Sequence, residues 1–149
     1  MFPDADDPAS LDRFLAAQDE LYAQALSELR RGRKQSHWMW FIFPQLRGIG
    51  RSATAEFFGL ADLAEAQAYL RHPALGPRIV ECAEAVLEHG ELPAERIMGG
   101  IDAMKLRSCA TLFAAVPGSG DVFDRVIATF FGGESCPRTR AMLAGQDWA

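Results

Sequence analysis

Ser36-His37-Trp38-Met39-Trp40-Phe41-Ile42-Phe43-Pro44-Gln45-Leu46-Arg47-Gly48-Ile49-Gly50-Arg51-Ser52 is the stretch that decides between an all-helical chain and one built around a buried strand. Its apolar block, Trp38 to Phe43, is too short for periodicity alone to separate a buried helix from a buried strand. Ser36 can cap a helix running from His37 to Phe43, and Pro44, which lacks an amide hydrogen and has a fixed φ, would end it. We read the block as helix, with a buried strand as the competing reading. Beyond Pro44 the chain turns cationic and glycine-punctuated, through Arg47, Gly48, Gly50 and Arg51. Such a join is either a pocket wall with its mouth or the densest part of a core with a polar exit.

Outward from this block the periodicity is helical. Leu11, Phe14, Leu15, Gln18, Tyr22, Ala25, Leu26 and Leu29 recur at three- and four-residue steps, which predicts a helix from a Ser10 cap to Arg31, before Gly32. Shorter helices are expected over Ala53–Gly59, Asp62–Arg71, Ala74–His89 and Pro93–Met98, separated by His72-Pro73, Gly90 and Gly99-Gly100. Asp102 then caps a helix through Val116, Asp121 caps another through Phe131, and a last one spans Pro137 to about Ala144. No alternating strand pattern and no fixed-period repeat interrupts this series. The expected fold is all-α and compact, with about seven or eight short helices in a single domain over residues 10–149. Residues 1–9, with three aspartates and two prolines, read as a flexible N-terminal segment.

Composition narrows the function class. A chain of 149 residues, 49% hydrophobic and 23% charged, is that of a globular soluble domain able to bury a core without staples. The net charge of −5 disfavours a nucleic-acid binder, which needs a broad cationic face. Of the fifteen cations only Lys34 and Lys105 are lysines. No apolar run approaches the roughly 20 residues that span a bilayer, so no membrane association is expected. Cys82, Cys109 and Cys136 are odd in number and widely spaced, and no secretory or transit segment is read ahead of the first helix; the expected compartment is the reducing cytoplasm. His37, His72 and His89 are isolated and no metal-ligand spacing occurs, so neither a metal nor another cofactor is expected.

Several residues invite chemistry. A wheel over residues 101–116 places Ile101, Met104, Leu112, Ala115 and Val116 on one arc, with Lys105 and Ser108 inside it and Arg107 outside, on the solvated side. An ammonium directed at a core must snorkel, pair or meet a ligand. Asp102, three residues earlier, is its nearest partner in sequence, and an anionic ligand is the other candidate, with Ser108 donating a hydrogen bond. Gln18 lies within the apolar stripe of the first helix, where its amide must satisfy backbone groups or a ligand's polar edge. His37 sits at a helix start, where the macrodipole favours neutral imidazole. Arg47-Gly48-Ile49-Gly50-Arg51-Ser52 can let backbone approach an anion, although it lacks both the dinucleotide fingerprint and the Gly-Lys-Ser/Thr phosphate loop. The residues proposed to meet a small anionic ligand are therefore Gln18, His37, Trp38, Gln45, Arg47, Arg51, Ser52, Asp102, Lys105 and Ser108. Aromatic faces would stack a nucleotide-like ring and the cations would hold its charge. The alternative is a protein-interaction module without catalytic activity, its aromatic block mostly core and its function on an exposed helical face. Neither reading names a reaction.

Three strings, Lys34-Gln35-Ser36-His37-Trp38-Met39-Trp40-Phe41-Ile42-Phe43-Pro44-Gln45, Tyr69-Leu70-Arg71-His72-Pro73-Ala74-Leu75-Gly76-Pro77-Arg78 and Asp102-Ala103-Met104-Lys105-Leu106-Arg107-Ser108, resemble the bacterial family catalogued as domain of unknown function 1810, some of whose members carry a calpastatin label. The resemblance runs from about Leu11 to Leu143. It implies a small, mainly helical, single-domain bacterial protein and no particular reaction. Two departures stand out: Ser108-Cys109-Ala110-Thr111-Leu112-Phe113 replaces the family's Ser-Ser-Met-Thr-Leu-Phe, and Gly133-Glu134-Ser135-Cys136 lacks the aspartate of its Gly-x-x-Asp pattern.

Overall fold

A computed structural model describes residues 2–147 of the chain, so Met1, Trp148 and Ala149 of the expected segments lie outside the described residues. Among the described residues nine helices follow one another: α1 Asp12–Arg30, α2 Met39–Ile42, α3 Ala53–Phe58, α4 Leu63–Arg71, α5 Leu75–Leu87, α6 Ala94–Met98, α7 Gly100–Ala114, α8 Val122–Phe131 and α9 Pro137–Asp147. Among the described residues there is no strand, only one isolated parallel bridge between Leu46 and Leu60. The all-α reading holds, with one or two more helices than expected.

The long helix α1 packs on α5, which in turn lies against α4 and α8, while α7 packs on α8, α6, α9 and α4. These helices share one apolar core that includes Phe14, Leu29, Trp38, Phe43, Tyr69, Phe113 and Phe123. Phe14, Tyr69 and Phe113 form a chain of ring contacts through it, with centroids 5.1 and 5.5 Å apart. The end of α1 is set by Gly32, whose φ of 74° suits a residue without Cβ, and by the His89 ring, whose Nε2 hydrogen-bonds Arg30 O at 2.8 Å. No described helix is long and apolar enough to cross a membrane.

The deciding block is helical, but only for the single turn of α2. Ser36 does not cap it, because its groups are engaged elsewhere by a buried carboxylate. Glu28, 1% exposed, accepts at Oε1 from the backbone N–H groups of Gln35 and Ser36 (2.8 and 2.9 Å) and from Trp38 Nε1 (2.9 Å). Its Oε2 accepts from Ser36 Oγ at 2.7 Å and Gln24 Nε2 at 3.1 Å. Four of these five donors come from residues 35–38, so the segment before Met39 is drawn onto α1 rather than wound into helix. Burial alone would raise the Glu28 carboxyl, but the donors from Gln35, Ser36 and Trp38 stabilise its ionised form and bring it to about 2.

A second buried charge fixes the other end of α1. Arg13, whose side chain is 0% exposed, donates from Nε to Phe57 O (2.8 Å), from Nη1 to Ser10 O (2.7 Å) and from Nη2 to Gly59 O (2.9 Å). It also meets both oxygens of Glu65 at 3.2 and 3.3 Å, so one guanidinium ties α1 to the α3–α4 connection and to α4 itself.

Candidate functional site

Helix α7 carries the main correction to the wheel reading. Its buried residues are Ala103, Leu106, Ser108, Cys109, Ala110, Thr111, Leu112 and Phe113. The helices packed on it leave Ile101 78% and Met104 57% exposed, the two exposed large hydrophobics among the described residues. Ile101, Met104, Lys105 and Ser108, spaced i, i+3, i+4 and i+7, thus line a groove over the first half of the arc, whereas Leu112 and Val116 farther along it are core as expected. A wheel registers which residues share a face, and apolar character alone assigned that face to the interior.

The groove has a volume of about 530 Å³. One wall is this face of α7 together with Arg107, the second is Gln45, Ile49 and Gly50 of the glycine-punctuated turn, and the third is Cys136, Pro137 and Arg138 at the start of α9. Arg138 binds the second and third walls together, donating from Nη1 to Ile49 O (3.1 Å) and from Nη2 to Gly48 O (2.9 Å). Arg107 holds the approach to α9 through Glu134 O at 2.7 Å and Ser135 O at 3.1 Å, so it is a groove residue and not the free surface cation expected. Carbonyl acceptors leave both guanidinium charges in place; among the described residues the one carboxylate within 4.0 Å of either is the exposed Glu134, 3.9 Å from Arg107.

Lys105 adds a third cation. Both lysines of the chain converge on Asp102: Lys34 Nζ lies 2.8 Å from Oδ2 and Lys105 Nζ 3.6 Å from Oδ1. Each ammonium also sits over an indole, Lys34 over Trp38 at 4.8 Å and Lys105 over Trp40 at 4.7 Å. One carboxylate between two ammonium groups leaves a net charge of +1, and the longer contact is the one on the groove side. Asp102 belongs to the first turn of α7, which starts at Gly100, and is not its cap as expected.

The structure brings together only part of the expected set. Gln45, Lys105 and Ser108 line the groove. His37 and Asp102, with Lys34 and Trp40, line a neighbouring hollow of about 330 Å³ over the start of α7. Trp38 is fully buried with its N–H on Glu28, so Trp40, half-buried, is the indole that faces this hollow instead. Arg47 turns away from both, donating to Glu56 O, Pro8 O and Gly59 O at 2.8–3.0 Å. Ser52 caps α3 by accepting from Ala55 N at 3.0 Å, and Arg51 is exposed and lines neither hollow. Gln18 is a satisfied core amide: Nε2 donates to Phe41 O at 2.7 Å and to Tyr69 Oη at 3.0 Å, and Oε1 accepts from Arg78 at 3.4 Å. Among the described residues lining the groove none is aromatic, so the stacking of a ring expected of Trp38 has no place there.

Cys136 is the groove residue that sequence reasoning passed over. Its carbonyl accepts the first bond of α9, from Arg140 N at 3.1 Å, and Ser108 Oγ donates to its Sγ at 3.5 Å. Its own N–H donates to Thr111 Oγ1 at 2.8 Å. Burial would raise this thiol, but hydrogen bonds from Ser108 and from the backbone N–H groups of Thr139 and Arg138 bring it below its ordinary value. A cysteine before a helix that opens with proline was the available signal, but nothing in the sequence placed that helix end against α7. A larger depression of about 700 Å³ lies between the α4–α5 corner and the Val116–Ser119 turn. Its charged lining residues are Arg71 and Glu81, one of each sign.

Comparison with known proteins agrees with this architecture. The model of a family described as protein of unknown function (DUF1810) matches residues 8–143. A crystal structure of the conserved hypothetical protein Rv1873 from Mycobacterium tuberculosis is 46% identical, superposes with a TM-score of 0.89, and covers 93% of this chain and 99% of its own. Among curated proteins no sequence matches the chain.

Proposed function

The chain belongs to the DUF1810 family, whose description assigns no function, and we propose from its own residues that it binds a small carboxylate- or phosphate-bearing ligand in the α7–α9 groove. One observation carries this reading. In a chain of net charge −5, the groove is lined by Lys105, Arg107 and Arg138 and, among the described residues, by no carboxylate. A volume of about 530 Å³ lies within the ordinary range of small-molecule pockets, and Ile49, Ile101 and Met104 offer apolar surface to the body of such a ligand. A nucleotide-like ligand has less support, for want of an aromatic face. With three unpaired, buried thiols the chain is suited to the reducing cytoplasm.

The exposure of Ile101 and Met104 favours a second reading, in which this face docks a protein partner. Thermal-shift titration with sugar phosphates and short carboxylic acids separates the two. A ligand present at 100 times its Kd stabilises the folded state by about 2.7 kcal/mol, and Lys105→Ala, by removing the groove's one ammonium, which Asp102 meets only at 3.6 Å, weakens affinity about tenfold. No stabilisation by any member of either series, or stabilisation unchanged in Lys105→Ala, overturns the small-anion reading and leaves the docking face.

A further inference from the structure

We infer that the ligand of the groove is an amphiphilic carboxylate, a single free acyl chain with one anionic end, and not a polyhydroxylated anion such as a sugar phosphate. The inference rests on the groove being an anion site and names the class of anion it takes.

The apolar part of the groove is open. Ile101 and Met104, the two exposed large hydrophobics among the described residues, fall one turn apart on the face of α7 that carries Lys105. Single exposed apolar side chains are ordinary, but these two stand together and beside cations. The half-buried Ile49 and the exposed Pro137 extend the apolar surface onto the other two walls.

The open polar groups are cations. Arg138 is exposed, and the side chains of Lys105 and Arg107 are 20% and 19% exposed. The uncharged polar side chains of the lining, Gln45 and Ser108, are buried at 8% and 5%. Backbone carbonyls at the edge are already taken, Gly48 O and Ile49 O by Arg138 and Glu134 O and Ser135 O by Arg107. Each hydroxyl of a sugar brings a proton that needs an acceptor, and among the described lining residues no side-chain oxygen is open to it. Covering such a hydroxyl without an acceptor is unfavourable. A carboxylate only accepts, and an acyl chain needs no hydrogen-bond partner.

Length and charge narrow the occupant further. From Ile101 to Ser108 the wall of α7 runs about 10 Å at 1.5 Å per residue, roughly the length of an extended chain of about eight carbons. A net charge of −5 opposes approach to an anionic membrane, so the occupant is a free chain and not a lipid held in a bilayer.

The test titrates the full chain by calorimetry, at fixed ionic strength, with butanoate, hexanoate and octanoate and with glucose 6-phosphate. Affinity should rise about threefold per added CH₂, somewhat less than the roughly fourfold of complete burial, and octanoate should bind about tenfold tighter than the more highly charged glucose 6-phosphate. Replacing both exposed residues, Ile101→Gln with Met104→Gln, should flatten the gain to below about twofold per CH₂. Lys105→Ala should instead weaken all the carboxylates about tenfold. Affinity that does not change with chain length, a gain unaltered in the double variant, glucose 6-phosphate as the tighter ligand, or capture of the chain by phosphatidylglycerol vesicles overturns the inference. Carboxylates bound alike whatever their length, or glucose 6-phosphate bound best, leave the anion groove standing; binding of none of the four anions removes both claims.

Discussion

Glu28→Gln is expected to lower stability at pH 7 by on the order of 3 kcal/mol and to abolish most of the acid sensitivity that this carboxylate confers. In the native chain the carboxyl lies at about 2 against an ordinary 4.5. A depressed value means the folded state holds the ionised form more tightly than the unfolded chain does. The contribution is therefore complete above pH 4.5 and is lost as pH falls through that value toward 2. Glutamine mimics the protonated acid: one carbonyl oxygen cannot accept from Gln35 N, Ser36 N and Trp38 Nε1 and also serve Ser36 Oγ, and its NH₂ group meets donors. Urea unfolding of both chains across pH 2.5–7 checks this, with the gap between them closing as pH falls. A gap that stays constant would mean that the interaction is not one of charge.

Arg13→Met should cost about 3 kcal/mol, because it takes from the largely buried Glu65 its counter-charge and from Phe57 O and Ser10 O a donor, while Gly59 O keeps Arg47. Arg13→Lys should recover only part of the loss: one ammonium cannot reach Phe57 O, Gly59 O, Ser10 O and both Glu65 oxygens, which need the planar fork of the guanidinium. Denaturation midpoints decide it. A methionine variant within about 0.5 kcal/mol of the natural chain, the range of an ordinary surface substitution, would show that the network is not structural.

The fold was largely legible because helices announce themselves locally. The three- and four-residue steps from Phe14 to Leu29 are the buried face of α1, and Asp62 does cap α4, accepting from Glu65 N at 2.8 Å. What could not be read was long-range. Glu28 falls beside Ala25 and Leu29 on the wheel, yet only the return of residues 35–38 to α1 turns it from a surface acid into a buried one. Ile101 and Met104 carry the same apolar signal as a core face; only the absence of a covering helix makes them a groove. Of the site, Lys105 and Ser108 were recognisable from local misfit, polar groups on an apolar arc, and Gln45 from its place at the polar end of the aromatic block. Cys136 and Arg138 were not, since Cys136 lies 28 positions beyond Ser108, with the whole of α8 between them.

The most direct measurement of the anion groove is a two-dimensional amide NMR titration of the isotopically labelled chain with a small carboxylate or phosphate that stabilises it in thermal shift. The amides of Gly48–Gly50, Ile101–Ser108, Cys136, Arg138 and Thr139 should shift together along one saturable curve. Those of Val116, Gly118 and Ser119, beside the larger and charge-balanced depression, should stay fixed. Saturable shifts confined to Val116–Ser119, or scattered along the surface without saturation, would contradict the account.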